Sequence, residues 1–442
     1  MPPGLFGVGA VGTGAFGSVS GLLLVFYYTD TLRIPPGGAV LVLVIGKAWE
    51  VLAAPVAGRL SDRSAARRGR RTRWLVGGAL GLAAGFALLF SAPQGTVWVS
   101  AVWATVASVV ASIGYACFQA SYVALPGELT DDPAAMTRLL SWRTVCLIAG
   151  ILLAGAGASL LVDAAGGGRS GYLVMGVTVA TLIAATTLVT ALTAGRAALT
   201  GGVRSPPQRP RPTAGRRPVL GNRAFVLLAG SYVVQTLAIA MALAGIPYVA
   251  SYRLQSTALT SVLFAAALVP ALFLTPVWRR AAERFGPVTC LAAAVTAYAA
   301  AALALSLGAQ IRSTALVVCC SVVFGCCFAA QQLIPFALLT RLTARPSGGE
   351  DGERGALAGA WTGAETAGNA LGPALFAAVL ATGSFAAGKT PGPHGPGQTA
   401  IVLGVGLVPA VFLLASVPLL LLFSRTMPDL SRTSVGTRRR TL

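Results

Sequence analysis

Twelve apolar segments, each long enough to cross a lipid bilayer, constrain the fold of this sequence more than any other feature. A membrane-crossing helix needs about 20 mostly apolar residues, and only a helix or a closed barrel satisfies its own backbone inside lipid. Charged residues make up 10% of the chain, whereas a soluble domain carries about 25%. We therefore predict an all-α integral membrane protein with twelve transmembrane helices. The segments are residues 5–29, 38–60, 74–92, 97–124, 139–163, 172–193, 224–250, 257–278, 287–308, 313–336, 356–381 and 399–423.

Basic residues are distributed unevenly between the two sides of the predicted membrane. The chain has 33 lysines and arginines. Of these, 26 lie on one side, which comprises the C-terminal tail and the gaps after the even-numbered segments with their flanking residues. The other gaps contain 5. Cytoplasmic loops carry the excess of basic residues, so we predict that both termini are cytoplasmic. Abundant alanine, glycine and arginine with only two lysines suggest a bacterial protein, and hence the cytoplasmic (inner) membrane.

The net charge of +20 is explained by this orientation, because the sequence lacks the aromatic and motif context of a nucleic-acid-binding surface. We predict no nucleic-acid partner. The expected partners are a small-molecule solute and membrane lipids, with the chain functional as a monomer. Nothing indicates an enzyme, a cofactor or a metal site. The seven cysteines lie in apolar segments without nearby histidine or acidic ligands, and the single histidine, His394, lies in a Gly/Pro-rich loop.

A short motif recurs in the two halves of the chain. The second segment ends in Pro55-Val-Ala-Gly-Arg-Leu-Ser-Asp-Arg63, and the eighth ends in Pro276-Val-Trp-Arg-Arg-Ala-Ala-Glu-Arg284, 221 residues later. Such spacing indicates a duplication that gives two pseudo-symmetric six-helix bundles. The predicted domains are an N-terminal bundle (1–194), a basic Pro-rich cytoplasmic linker (195–223), a C-terminal bundle (224–423) and a cytoplasmic tail (424–442).

The repeated charges lie at the predicted cytoplasmic boundary of the membrane. There they can form charge-assisted hydrogen bonds with neighbouring helix ends and hold one face of a transporter closed. Anchoring by positive charge alone is the alternative, but it does not require the two acids. The predicted gating residues are Arg59, Asp62, Arg63, Arg280, Glu283 and Arg284.

Two ionisable residues, Lys47 and Glu50, lie near the middle of the second segment. Their spacing of three places them on one face of a helix, and charged residues at membrane depth are candidates for function. The matching positions of the eighth segment are Leu268 and Ala271. We predict that Glu50 binds and releases a coupling proton and that Lys47 pairs with it. A static ion pair that sets helix packing is the alternative.

Other polar residues within the segments are candidates for solute binding. Arg143 could bind an anionic or hydroxyl-rich group of the solute, or exchange partners with Glu50 or Glu365. Uncharged polar residues on helices 1, 4, 7, 10 and 11 fit the lining of a central cavity, although each could instead form a hydrogen bond between helices. The predicted solute-binding residues are Arg143, Glu365, Tyr27, Gln119, Tyr122, Gln235, Gln331 and Asn369, with Tyr28, Tyr232 and Gln332 as further candidates.

Several of these stretches resemble the major facilitator superfamily and, within it, the glycoside–pentoside–hexuronide:cation symporters of the melibiose permease group. The similar motifs are Tyr27-Tyr-Thr-Asp30, Lys47-Ala-Trp-Glu50, the loop from Leu125 to Arg143, and Trp361-Thr…Glu365-Thr. The resemblance implies the major facilitator fold and cation-coupled movement of sugars by alternating access. In that family two acids one turn apart on helix 2 help to bind the cation. Here the second position is Ala54, which favours a proton over Na⁺.

We therefore predict a proton-coupled symporter of a sugar or glycoside-like compound. The main alternative is a proton-antiport exporter of a hydrophobic metabolite or drug. It is suggested by Phe118, which stands roughly where the family's sugar transporters have an acid on helix 4. Weaker alternatives are a lipid carrier and a non-transporting membrane receptor or scaffold.

Overall fold

The computed structural model describes residues 2–68, 72–130, 133–200, 222–343, 351–383 and 396–427, and nearly all of these residues are helical. A π-helical turn, Leu403–Leu407, joins the last two helices, so that they form one candidate crossing, Pro396–Thr426. The helices are α1 (Pro3–Phe26), α2 (Pro36–Arg68), α3 (Thr72–Leu89), α4 (Val97–Leu129), α5 (Pro133–Ala164), α6 (Gly168–Thr200), α7 (Arg223–Tyr248), α8 (Leu259–Phe285), α9 (Pro287–Gln310), α10 (Thr314–Thr343), α11 (Asp351–Thr382), α12 (Pro396–Val402) and α13 (Val408–Thr426).

Eleven stretches in the described part of the chain are long and apolar enough to cross a membrane. The predicted crossing that is missing from this set belongs to α11. Its hydropathy is low because Glu365 and Asn369 lie among glycines and alanines. With α11 included, the described helices make the twelve crossings that the sequence predicts.

The helices pair in the same way on both sides of residues 201–221. In the first unit, α1 packs against α5 and α6, α4 packs against α2 and α3, and α3 packs against α6. In the second unit, α7 packs against α11 and α13, α10 packs against α8 and α9, and α9 packs against α13. Each of these five contacts of the first unit therefore has a counterpart in the second. This correspondence confirms the predicted fold class of two pseudo-symmetric six-helix bundles.

Contacts divide the chain into two compact units. The described residues between 2 and 200 belong to the first unit, and those between 222 and 427 belong to the second. Most of the predicted linker (195–223) lies outside the described residues, as does the predicted tail (424–442) beyond residue 427.

The first helix of each unit ends in the same way. α1 runs into the π-helical turn Tyr27–Thr31, and α7 runs into the π-helical turn Val249–Arg253. A non-glycine residue with positive φ follows each turn, namely Arg33 (57°) and Gln255 (56°). This is a conformation that L residues seldom adopt. The repeat therefore extends to the backbone of these two corners, although their side chains differ.

Several helices are longer than the apolar segments that predict them. α2 continues to Arg68 rather than residue 60, and α5 begins at Pro133 rather than residue 139. Hydropathy finds only the part of a helix that crosses lipid, whereas alanine and arginine sustain a helix beyond it. Arg143 consequently lies well inside α5, yet it is the second residue of the candidate crossing Trp142–Ala164.

Candidate functional site

Lys47 and Glu50 form an ion pair within α2. The Nζ atom of Lys47 lies 2.8 Å from Oε2 of Glu50, and the side chains are 38% and 9% exposed, respectively. Glu50 belongs to the buried face of α2, together with Val42, Gly46 and Ala57. The carboxylate is thus buried, whereas its positive partner stays accessible.

The buried face of α2 is hydrogen-bonded to α4 on both sides of Glu50. The hydroxyl of Ser112 donates to the carbonyl oxygen of Gly46 at 2.8 Å, and the hydroxyls of Ser61 and Ser121 share a hydrogen bond of 2.9 Å. Hydrogen bonds between crossing helices each add modest stability. These two fix the rotation of α2, and therefore the direction in which Glu50 points.

Tyr27, a predicted solute-binding residue, lies in an aromatic cluster of the first unit. Its ring centroid is 4.7 Å from that of Tyr172 on α6 and 5.1 Å from that of Phe90 after α3. Tyr27 is only 1% exposed, so its ring contributes to packing in this conformation. The hydroxyl of the neighbouring Tyr28 shares a 3.1 Å hydrogen bond with Ser108 on α4.

Arg143 and Tyr122, two further predicted solute-binding residues, are brought together in the first unit. The guanidinium carbon of Arg143 lies 5.8 Å from the ring centroid of Tyr122, which is a cation–π arrangement. The ring of Tyr122 also stacks with Phe6 and with Phe118, and its hydroxyl donates to the carbonyl oxygen of Phe6 at 3.0 Å. The buried Nε of Arg143 has no hydrogen-bond partner among the described residues. Arg143 can thus donate to a further group.

The second unit contains a cluster that joins α7, α10 and α11. The hydroxyl of Tyr232 lies 3.2 Å from Oε1 of Glu365 and 3.3 Å from Oε1 of Gln332. The ring of Tyr232 stacks on Trp361, with centroids 4.4 Å apart and planes at 12°. These four residues are called the Tyr232 cluster below. Trp361 is not among the predicted solute-binding residues, although it belongs to the family-like motif of α11, and its spacing of four from Glu365 places both on one face of that helix.

Two predicted residues of the second unit, Gln235 and Gln331, are buried without partners. They are 0% and 1% exposed, and neither the oxygen nor the nitrogen of either amide has a hydrogen-bond partner among the described residues. A buried polar group left unpaired costs about 1–3 kcal/mol. Of the other predicted residues, Asn369 is exposed, and Gln119 is half-buried with its Oε1 unpartnered.

Arg253 has a role that the sequence does not indicate. It is 6% exposed, its Nε donates to the carbonyl oxygen of Ala309 at 3.0 Å, and its Nη1 donates to the side chain of Gln398. It thereby joins the end of α7 to α9 and α12. In the sequence it counts only as a loop charge, because the burial of its side chain depends on segments distant in the chain.

The predicted gating residues are only partly described. Arg59 is exposed on α2, and the side chains of Asp62 and Arg63 lie outside the described part of the structure. On α8, Glu283 lies 4.0 Å from Arg279, with both side chains more than 60% exposed. An exposed pair of this kind contributes little stability. The role of these charges in gating stays a prediction.

Comparison with known proteins gives one family match that covers nearly the whole chain. The model described as MFS/sugar transport protein matches residues 5–426. The chain is 30% identical over 146 residues to the inner membrane symporter YicJ of Escherichia coli (strain K12), which covers 33% of this chain and 32% of that protein. It is 26% identical over 147 residues to the putative glycoside/cation symporter YagG of the same strain, with 33% and 32% coverage. The chain thus aligns with about a third of the length of these curated relatives.

Solved structures show the same fold at low sequence identity. A D-xylose–proton symporter has a TM-score of 0.68 and 15% identity, with 97% of this chain and 98% of that chain covered. Identity at this level shows a shared fold and says nothing about the solute.

Proposed function

This chain belongs to the MFS/sugar transport protein family, and from that premise we propose that it is a proton-coupled symporter of a sugar or glycoside-like compound. The family and the fold make it a multi-pass membrane transporter. The solute, the coupling ion and the direction belong to the proposal, as do the location in a bacterial cytoplasmic membrane, the cytoplasmic termini and the monomeric state.

The observation that carries the proposal is the Lys47–Glu50 pair. Ionisable groups within membrane-crossing helices mark proton and ion pathways, and Glu50 is the acid that α2 holds on its buried face. A proton needs one titratable carboxylate, whereas a sodium ion needs several oxygen ligands. This arrangement supports H⁺ as the coupling ion.

The Tyr232 cluster supports a hydroxyl-rich solute. A phenol, a carboxylate and an amide from three helices meet within hydrogen-bond distance, and together they can both donate to and accept from sugar hydroxyls. The similarity to a putative glycoside/cation symporter agrees with this assignment.

Glu50 would have different contacts in its ionised and in its protonated state. The ionised acid pairs with Lys47 at 2.8 Å, whereas the neutral acid loses most of that attraction. A conformational equilibrium responds to a ligand only through a difference in affinity between its states. We propose that the gain and loss of this ion pair is the difference through which the proton acts.

Proteoliposomes with an imposed pH gradient test the proposed function. We expect a gradient that is acidic outside to drive accumulation of the transported sugar, and a sodium gradient at constant pH to have little effect. Accumulation driven by sodium alone would contradict proton coupling. A gradient that instead drives apolar compounds in the direction opposite to protons would favour the exporter.

A further inference from the structure

We infer that the second unit holds the principal binding site for the solute, on α7, α10 and α11, and that this site takes an uncharged polyol such as a neutral sugar, a glycoside or a cyclitol. The inference rests on the proposed function and adds to it the unit that binds and the charge of the solute. The residues of the site are Tyr232, Gln235, Gln331, Gln332 and Glu365.

The first argument is the state of the two buried glutamines. Gln235 and Gln331 together bury four polar atoms that have no partner among the described residues. Buried serines on the same helices behave differently, because the hydroxyls of Ser231 and Ser321 each donate to a carbonyl of their own helix at 2.9 Å. Buried polar groups in proteins are nearly always paired. The amides therefore lack a partner in the described part of the chain, and a bound molecule could supply one.

The second argument is the position of these amides along their helices. Gln235 follows Tyr232 by one turn of α7, a rise of about 4.5 Å, and Gln331 directly precedes Gln332 on α10. Tyr232 and Gln332 belong to the cluster that joins the three helices. The unpartnered amides are thus on the same helices as the cluster and within one helical turn of it.

The third argument is that the phenol of Tyr232 offers one proton to two acceptors. The phenol of Tyr232 is at 3.2 Å from Glu365 and at 3.3 Å from Gln332, and a single O–H cannot donate fully to both. A solute hydroxyl that donates to one acceptor would let the phenol donate to the other. The cluster is therefore suited to a ligand that brings donors.

The chemistry of these groups defines the class of ligand. An amide both donates and accepts, and so does an alcohol, so a polyol can satisfy both atoms of each glutamine. A carboxylate or phosphate can only accept, and it would also be repelled by Glu365. The site therefore favours neutral polyols over acidic sugars. The coupling pair Lys47–Glu50 and the binding site then belong to different units.

Thermal-shift titrations of the full-length protein in lipid nanodiscs test the inference. The probes are D-glucose, myo-inositol and methyl α-glucoside as neutral polyols, and D-glucuronate as an anion. The variants are Gln235→Leu and Gln331→Leu, with the methionine variants at the same positions as replacements if leucine prevents folding. Ser231→Ala and Ser321→Ala are matched controls on the same helices.

We expect each glutamine variant to weaken polyol binding by about tenfold or more, and to keep or raise the ligand-free melting temperature because an unpaired amide is removed. The serine variants should keep the affinity within about twofold. Unchanged affinity in both glutamine variants would overturn the inference, as would glucuronate binding as tightly as glucose.

Failure of the proposed function gives a different pattern. If polyols bind with the expected dependence on the glutamines but no pH gradient drives their uptake, proton coupling is wrong and the binding site stands. If no neutral probe binds the wild type, the inferred site is wrong. A pH gradient that then drives uptake of another solute would leave proton coupling intact.

Discussion

The ammonium nitrogen of Lys47 lies 2.8 Å from Oε2 of Glu50, and the lysine side chain is 38% exposed while the glutamate side chain is 9% exposed. The two partners therefore differ in what each loses when the pair breaks. The ammonium group of Lys47 stays accessible when the pair breaks, because its side chain is partly exposed. An ionised Glu50 would instead be left buried without its cation. Separating the pair therefore costs less free energy when Glu50 is first protonated than when it remains ionised.

Glu50→Gln should abolish accumulation driven by a pH gradient, because the amide cannot take up a proton. Exchange of solute at equal concentrations needs no proton cycle and should persist at a measurable rate. Uptake of labelled solute into proteoliposomes measures both activities. Asp163→Asn, which changes a half-buried acid at the end of α5, is the control and should retain accumulation. Full accumulation in Glu50→Gln would contradict the coupling role.

Lys47→Met should lower the stability of the protein by about 2 kcal/mol, less than the 3–5 kcal/mol of a fully buried pair because the lysine is partly exposed. The double variant Lys47→Met/Glu50→Gln should recover most of this loss, since no charge remains buried. Denaturant unfolding in detergent would measure both effects. Equal stability of the wild type and Lys47→Met would show that the pair adds nothing to stability.

Tyr232→Phe should weaken solute binding by about tenfold and change the melting temperature little. The variant loses the hydroxyl shared by Glu365 and Gln332 but keeps the ring that stacks on Trp361. Tyr298→Phe is a matched control, because Tyr298 is a buried tyrosine of the same unit that stacks on Phe324 at 4.2 Å. If both variants bind alike, the hydroxyl of Tyr232 does not contact the solute.

Gly114→Ala should destabilise the first unit, whereas Gly157→Ala should be neutral or stabilising by up to about 1 kcal/mol. A Cβ at Gly114 on α4 would overlap the backbone of α3 at Gly81 and Leu82, and a Cβ at Gly157 would meet nothing within 4 Å. Because backbone cannot move aside as a side chain can, α3 and α4 would have to separate. Melting temperatures of the two variants in nanodiscs give the comparison, and equal values would show that this contact is loose.

Much of the fold could be predicted because its cause is local in the sequence. A crossing must be mostly apolar along its length, and the match of Pro55–Arg63 with Pro276–Arg284 indicates the duplication. The ends of the helices could not be placed in this way. Arg68 continues α2 beyond the apolar segment, where hydropathy no longer distinguishes a helix from a loop.

The candidate sites also differ in whether local sequence predicts them. The Lys47–Glu50 pair is predictable because its members are three positions apart on one helix. The contact between Tyr232 and Glu365 spans 133 positions, and no periodicity within one helix specifies which residue of another helix it meets. Arg253 is a further example, since its partners Ala309 and Gln398 lie on other helices.

The Lys47–Glu50 pair also has a consequence for biosynthesis. A charged residue at the centre of an inserting helix costs about 2.5–3.5 kcal/mol, and α2 carries two of them. The pair joins residues of a single helix, so it can form as soon as α2 is helical, before α4 has been synthesised. The charges of α2 can thus neutralise each other at the moment of insertion. Loss of Lys47 would therefore act on the nascent chain as well as on the mature protein.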